Sequence, residues 1–454
     1  MTIDAGTRKR LTLALISSYI SRFATTLIQL IQVPFFLHFW ASPVYGEWMI
    51  LSSIPNYLSF SNTGFGNVAG NEMVMAHARN DQPAVLRAFQ STWWLILLTM
   101  AAVGTGMALL LGFFPVSRLL SIRNISPSDT RWIIFYLGLS VLMGQVETLL
   151  QSAYRCVGRY AYGSGIATLT TLMAFACMLI PVGLGHGPRT AALVFAASEM
   201  VGTLILALLV RRDIPWIRYG YEYASLTEIR RLAPSAFAFM GFPLGQALNL
   251  QGTLMAVGYA LGPVAVVIFG TARTVSRVAL QMVQMISFSF EPEFAKSFAE
   301  SNIALMRTLH RRACQMALFV AIGIVALMIA AGPFLLNHWT QGKVPPSRPL
   351  LVILLVVVTL FSFWSTSATL LRSTNQHQRL AVVYLAATCT TVVLTWIMAV
   401  NFGLLGAAAS LLASELLMNL YVLPATLRVT HDTPKPFLLS LIQIPRGVLS
   451  RRRA

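Results

Sequence analysis

The sequence predicts an all-α polytopic membrane protein of about twelve transmembrane helices in two six-helix pseudo-symmetric lobes. Three observations carry that prediction. Of 454 residues, 56% are hydrophobic and only 11% are charged, whereas a soluble domain carries about 25% charged residues. Apolar runs of about 20 residues, the length that crosses a ~30 Å hydrocarbon layer as a helix, recur along the whole chain. The two halves also match one another at a nearly constant shift.

The runs fall at 11–37, 44–68, 91–115, 132–154, 161–184, 190–210, 233–259, 263–289, 314–337, 349–371, 379–400 and 404–427. The second and seventh are the least apolar, being rich in Ser, Asn, Gln and Gly. Helices follow because backbone in lipid must satisfy its own hydrogen bonds, and the chain lacks the alternating pattern of a barrel. The first run follows Thr7-Arg8-Lys9-Arg10. Its length, the arginine inside it and the lack of a small-residue cleavage site mark it as a retained helix rather than a signal peptide.

Lys and Arg number 33 against 15 Asp and Glu, a net charge of +18. The basic residues lie between the apolar runs, which is the signature of topology and not of a nucleic-acid partner. With the N-terminus cytoplasmic, 24 of them fall on the cytoplasmic side and six outside: Arg118, Arg123, Arg131, Arg189, Lys343 and Arg348. The positive-inside rule thus places both termini in the cytoplasm, and the expected location is a bacterial cytoplasmic (inner) membrane. The tail after 430 is too short to span. It lies along the inner leaflet with its arginines near anionic lipid, or it frays.

No loop is long enough to fold as a domain; the largest hydrophilic pieces are 211–232 and 291–313. There is no G-x-x-x-x-G-K-[ST] motif, no His/Cys/Asp cluster at metal spacing, and no large external loop to hold catalytic groups. The four cysteines, Cys156, Cys177, Cys314 and Cys389, lie in or beside apolar runs, which argues against disulfides. The reading is a non-enzyme without cofactor or metal.

The internal match is clearest between "AALVFAASEMVGTLILALLVRR" (191–212) and "AAASLLASELLMNLYVLPATLR" (407–428), which share Ala-Ser-Glu at 197–199 and 413–415. "AVLRAF" (84–89) matches "ALMRTL" (304–309), and "LLQS" (149–152) matches "LLRS" (370–373). The shifts lie between 216 and 221, a spacing of six helices. An even number brings both halves in from the same side, so the repeats are parallel, as in transporters whose site lies at the repeat interface near midplane. The expected organisation is an N-terminal lobe at 1–215, a C-terminal lobe at 216–430 and a basic tail at 431–454.

Three arginines remain, and all lie inside runs: Arg22, Arg273 and Arg277. Counted from Leu11 at ~1.5 Å per residue, Arg22 is roughly 16 Å deep. A charge at that depth costs at least about 2.5–3.5 kcal/mol. The three arginines fall in two polar stripes at helical spacing. The first run carries Ser18, Arg22, Thr25, Gln29 and Gln32, and the eighth carries Arg273, Arg277, Gln281, Gln284 and Ser287. The second adds Ser52, Asn56 and Ser59; the seventh adds Gln246, Asn249 and Thr253. Runs three, five, nine and eleven show nothing comparable. The candidate substrate-binding residues are therefore Arg22, Gln29, Asn56, Asn249, Arg273, Arg277 and Gln281. Guanidinium forks opening on one cavity suit a phosphate or pyrophosphate. Alternatively they pair with Glu199 and Glu415, which occupy equivalent repeat positions and are also candidates for ion coupling. Glu147 and Glu47 lie nearer helix ends.

The stretch "YGEWMILSSIPNYLSFSNTGFGNVAGNEMVMAHARND" (45–81), with the two six-helix halves, resembles the polysaccharide flippases of the multidrug/oligosaccharidyl-lipid/polysaccharide exporter superfamily. Its most telling parts are Tyr45-Gly46-x-Trp48 and the Gly-rich exit into a small cytoplasmic helix. The family pattern has an aspartate where this chain has Asn62. The resemblance implies translocation of a polyprenyl-pyrophosphate-linked oligosaccharide by alternating access, driven by an ion gradient or membrane potential. Its implied partners are membrane lipids, the lipid-linked glycan and glycan polymerase or assembly proteins. Related flippases of lipid-linked peptidoglycan precursors use cavity arginines on the first and eighth helices, places that Arg22 and Arg273 fit. Those relatives carry further C-terminal helices absent from these 454 residues, so their substrate is not the one expected. A multidrug exporter of the same superfamily is the alternative, and it would call for an acidic cavity.

Overall fold

A computed structural model describes the backbone of residues 5–57, 59–373 and 377–442, and within these residues every regular element is helical. In order they are α1 (Ala5–Phe39), α2 (Ser42–Asn56), α3 (Ser59–Ala78), α4 (Gln82–Phe113), α5 (Val116–Leu119), α6 (Pro127–Cys156), α7 (Tyr160–Gly183) and α8 (Pro188–Asp213). There follow α9 (Leu226–Ala247), a π-helical turn (Leu248–Gly252), α10 (Thr253–Leu261), α11 (Pro263–Ala299), α12 (Ile303–Trp339), α13 (Arg348–Ser373), α14 (His377–Val429) and α15 (Pro434–Ile442).

Nine helices among the described residues are long and apolar enough to cross a membrane. One of them, α14, contains two passes. Gly403, at φ 62° and ψ −149°, breaks it into a hairpin, and Thr395 bonds to Ser410 across the turn at 2.7 Å. The expected runs at 379–400 and 404–427 are its two limbs. The second and seventh runs are the ones that depart from simple spans. The second is divided into α2 and α3 just beyond Pro55, and the seventh is interrupted by the π-helical turn beyond Pro243. Proline removes an i→i−4 bond and clashes with the preceding turn, and π turns are local departures from α geometry. The chain is a multi-pass, all-α membrane protein.

The shift seen in the sequence recurs in local geometry. Asp81 and Asn302, 221 residues apart, cap α4 and α12 by accepting from the N–H three residues on, Ala84 at 2.9 Å and Leu305 at 3.0 Å. Each is preceded by a residue in left-handed conformation, Asn80 at φ 59° and Ser301 at φ 52°. Ser126 and Ser347, again 221 apart, accept from Asp129 and Leu350 at the starts of α6 and α13. Residues 42–78 and 263–299 share that shift at both ends, yet the first stretch is broken into two helices and the second, α11, is continuous.

Contacts divide the chain into two compact units, Met1–Val267 and Ile268–Ala454. In the first unit, Tyr45-Gly46-Glu47-Trp48 has a separate role for each residue. Tyr45 and Trp48 are buried against Phe36 of α1 at centroid distances of 5.7 and 5.8 Å, and Trp40 stacks on Phe36 at 4.6 Å. Gly46 meets the chain at Pro263: a Cβ there would clash with the Pro263 carbonyl group. Glu47 has no exposure. Its carboxylate accepts from the backbone N–H of Arg123, Asn124 and Ile125 and from Asn124 Nδ2, at 2.7 to 3.0 Å. It therefore ties the start of α2 to the loop between α5 and α6.

The segment joining α8 to α9 is strapped to the end of α4 and is not a loose linker. The Gln90 amide donates to the Arg218 carbonyl at 3.0 Å and accepts from Tyr223 N–H at 2.8 Å. Ser91 accepts from Ser225 N–H at 2.9 Å, and Trp94 donates to the Gly220 carbonyl at 2.9 Å. Trp216 stacks on His77 of α3. At the start of α9, Arg231 pairs with Glu228 and with Glu72 of α3, at 2.7 and 2.8 Å. These carboxylates hold its guanidinium above its usual range.

In the second unit α13 packs between α12 and α14. Its run of small hydroxyls, Ser362, Ser365, Thr366, Ser367 and Thr369, is buried. Ser287 of α11 bonds to Thr366 at 2.9 Å and His310 of α12 bonds to Ser367 at 2.9 Å. Beyond α14, Asp432 is bonded by Arg311 and by Thr433 N–H. Its partial burial would raise the carboxyl, but these bonds outweigh burial and hold it below the usual range.

Glu47→Ala leaves four donors without an acceptor and should lower stability by about 3 kcal/mol, with Glu47→Gln intermediate. Thermal unfolding in detergent measures the loss, and amide exchange should rise first at residues 123–125. In Gly46→Ala the added methyl meets backbone, which cannot yield as a side chain can. The expected outcome is poor folding, read as loss of the monodisperse species in size-exclusion chromatography.

Candidate functional site

Two residues of the polar stripe on α1, Arg22 and Thr25, line a cavity within the first unit. The cavity, of about 380 Å³, lies among α1, α6 and α7. From α1 it is lined by Ser21, Arg22 and Thr25, from α6 by Glu147 and Gln151, and from α7 by Tyr160, Ser164, Thr168 and Thr171 among others. Its hydroxyls are linked. Ser21 Oγ lies 2.5 Å from Thr168 Oγ1 and 3.4 Å from Ser164 Oγ, while Ser17 donates to the Ala161 carbonyl at 3.2 Å. These bonds hold α1 to α7 at the cavity edge. Helix association by small polar side chains is usual in membranes; here the same groups also form a wall.

Two features of this cavity escaped the sequence. The fifth apolar run, α7, was expected to show no polar stripe, yet Ser164, Thr168 and Thr171 line the cavity at steps of four and three. The expectation fails because each of these hydroxyls also bonds to the backbone of its own helix or packs in its wall, as Thr168 does to the Ser164 carbonyl at 2.8 Å. In the sequence they look like the hydroxyls that any membrane helix tolerates. Glu147, set near a helix end by counting, instead faces the same cavity as Arg22. It accepts from Thr170 Oγ1 at 3.2 Å and lies within electrostatic reach of Glu199 on α8. Glu199 is buried, outside the cavity lining.

The remaining expected residues are placed as follows. Gln29 is exposed on α1, one turn past Thr25, and Asn56 is half-buried at the end of α2. Asn249 is half-buried in the π-helical turn, where its carbonyl accepts from Thr253 Oγ1 at 2.5 Å. The side chains of Ser18, Ser59 and Asn62 lie outside the described residues.

In the second unit Arg273 is buried on α11, with its guanidinium 5.8 Å from the centre of the Phe269 ring one turn away, within cation–π range. Arg277, Tyr384 and Glu415 lie within its electrostatic reach. Arg277 and Gln281 are half-buried on the same helix. Glu415 of α14 is buried and accepts from Trp364 Nε1 of α13 at 2.6 Å and from Ser414 Oγ at 3.4 Å. The two glutamates of the repeat therefore have different surroundings. Glu415 sits beside an indole N–H and within reach of an arginine, whereas Glu199 sits near another carboxyl.

No family model matches the chain, and no curated protein matches it. Solved structures do. The inward-facing conformation of a multidrug resistance MATE family transporter of the MOP superfamily superposes with a TM-score of 0.71 at 13% identity, covering 89% of this chain and 98% of that one. An outward-facing conformation of such a transporter gives 0.63 at 14% identity, with coverages of 93% and 96%. A MOP superfamily transporter from Pyrococcus furiosus, described as having a binding pocket of reverse polarity that suggests a different function, gives 0.66 at 13% identity, with coverages of 96% and 97%. At these identities the likeness is one of architecture, and the chain has the fold of the MATE transporters of the MOP superfamily.

Proposed function

We propose that this chain is a membrane transporter working by alternating access, and within that class a flippase. Its cargo is a polyprenyl-pyrophosphate-linked oligosaccharide, carried across the cytoplasmic (inner) membrane for cell-surface polysaccharide assembly. The observation that carries this reading is the retention of Arg22, Arg273 and Arg277 within membrane-spanning helices, with Arg22 on the wall of a polar cavity. A pyrophosphate cannot enter hydrocarbon unaided, and planar guanidinium groups bind its oxygens bidentately while remaining charged. Serine, threonine and glutamine beside Arg22 supply the neutral hydrogen bonds that sugar hydroxyls take. Solved inward-facing and outward-facing conformations on this fold support alternating access. The transporter described as having reverse pocket polarity supports the idea that one fold serves cargo of either charge. Glycan polymerase and assembly proteins are the partners this reading implies.

A second reading, an ion-coupled multidrug exporter, is favoured by one observation: Glu147 shares the cavity with Arg22, and an acid is what a cationic drug would require. Reconstituted vesicles separate the two. The flippase moves a fluorescent polyprenyl-pyrophosphate glycolipid between leaflets and leaves cationic dyes in place; the exporter does the reverse.

Arg22→Ala and Arg273→Ala should each reduce surface glycan display at least tenfold at normal protein level, since a charge-assisted contact contributes about 1.5–3 kcal/mol. Full display in both variants would sink the anion-binding reading. Arg22→Lys and Arg273→Lys should restore display only in part, because a lysine keeps the charge and loses the fork. Quantitative blotting of extracted glycan against protein level reads both.

A further inference from the structure

After α14 the chain turns back on itself. Arg307 donates to the carbonyls of Thr430 and His431 at 3.0 and 2.7 Å, and Arg311 bonds to both oxygens of Asp432 at 2.5 and 2.8 Å. These bonds send α15 back along α12. Phe437 stacks on His310, with ring centres 5.1 Å apart and planes within 8°, and Leu441 packs with Cys314 and Leu427. Positions 437 and 441, one turn apart, therefore face the protein. Lys435, Leu438, Leu439 and Ile442, spaced i, i+3, i+4 and i+7, share the other face and are exposed, Ile442 by 77%.

Nine residues are too few to span a bilayer. Yet α15 packs beside Cys314, where the apolar run of α12 begins, and beside His310 one turn before it. Its outer face is thus level with the edge of the hydrocarbon, where three large aliphatic side chains are matched by acyl chains. The acid beside it, Asp432, is paired with Arg311, and the exposed charges nearest it in sequence are basic. Lys435 stands at the end of the stripe and Arg428 is exposed at the end of α14. From Thr433 onward the sequence has five basic residues, Lys435, Arg446, Arg451, Arg452 and Arg453, and no acidic one. An apolar stripe ending in cations fits the boundary between acyl chains and anionic headgroups.

We propose that α15 is a docking surface for anionic phospholipid of the leaflet that carries the basic ends of the helices. The proposal does not depend on the cargo assigned above.

The test uses the full chain in vesicles of equal phosphatidylglycerol and phosphatidylcholine, with a photoactivatable diazirine side chain introduced at position 439 or 442. Position 420, exposed on α14, serves as the labelling control, and position 441 as the inward-facing control. Mass analysis after irradiation should find phospholipid adducts at 439 and 442, with phosphatidylglycerol favoured at least tenfold, and adducts within the chain at 441. Lys435→Gln should lower that preference about fivefold, since each basic residue at an anionic surface contributes about that factor. With position 420 labelled normally, the proposal is overturned by adducts to a second polypeptide at 439 and 442, by no lipid adduct there, by equal labelling of the two lipids, or by an unchanged ratio in Lys435→Gln.

Discussion

Hydrocarbon offers no hydrogen-bond partner, so polar side chains that this protein holds at membrane depth depend on partners elsewhere in the chain. That constraint organises both units. Hydroxyls return to their own backbone one turn earlier, as Thr391 does to Ala387 and Thr395 to Thr391, or reach across, as Ser21 does to Thr168 and Ser287 to Thr366. Carboxylates are held by fixed donors: Glu47 by a loop backbone and Glu415 by the Trp364 indole. The same rule confines irregular backbone to a few places where proline or glycine forces it.

Those irregular places are where the two halves differ. The repeat keeps its capping residues, left-handed turns and helix starts at a shift of 221, because these depend on two or three local residues. It does not keep helix continuity. The stretch broken between α2 and α3 in the first half is continuous as α11 in the second, while the π-helical turn interrupts the seventh run. Among the described residues, the second and seventh apolar runs are thus each divided between two helical elements or more. Irregular backbone at membrane depth is tolerated where the protein itself covers it.

The charged groups also part company with the repeat. In the first unit Arg22 and Glu147 face one polar cavity, and Glu199 lies within electrostatic reach of Glu147. In the second unit Arg273 is buried within reach of Glu415, which an indole holds. The equivalent glutamates are therefore set in unlike fields. In the first unit a cation from α1 and an acid from α6 thus face the same cavity.

Composition and periodicity by themselves determined the membrane class, the order of the helices, the six-helix shift and the stripe led by Arg22. Each of these rests on patterns within about 20 residues. The weakest runs, the second and seventh, proved to be the interrupted ones, since the Ser, Asn, Gly and Pro that dilute hydropathy also weaken a helix. Tertiary structure alone decided what faces what. Glu147 came to the cavity, Glu47 went to the loop at 123–125, and the hydroxyls of α7 became a wall. These outcomes depend on how helices distant in sequence are rotated against each other, and a side chain's partner across a helix interface leaves no periodic trace along its own strand of sequence.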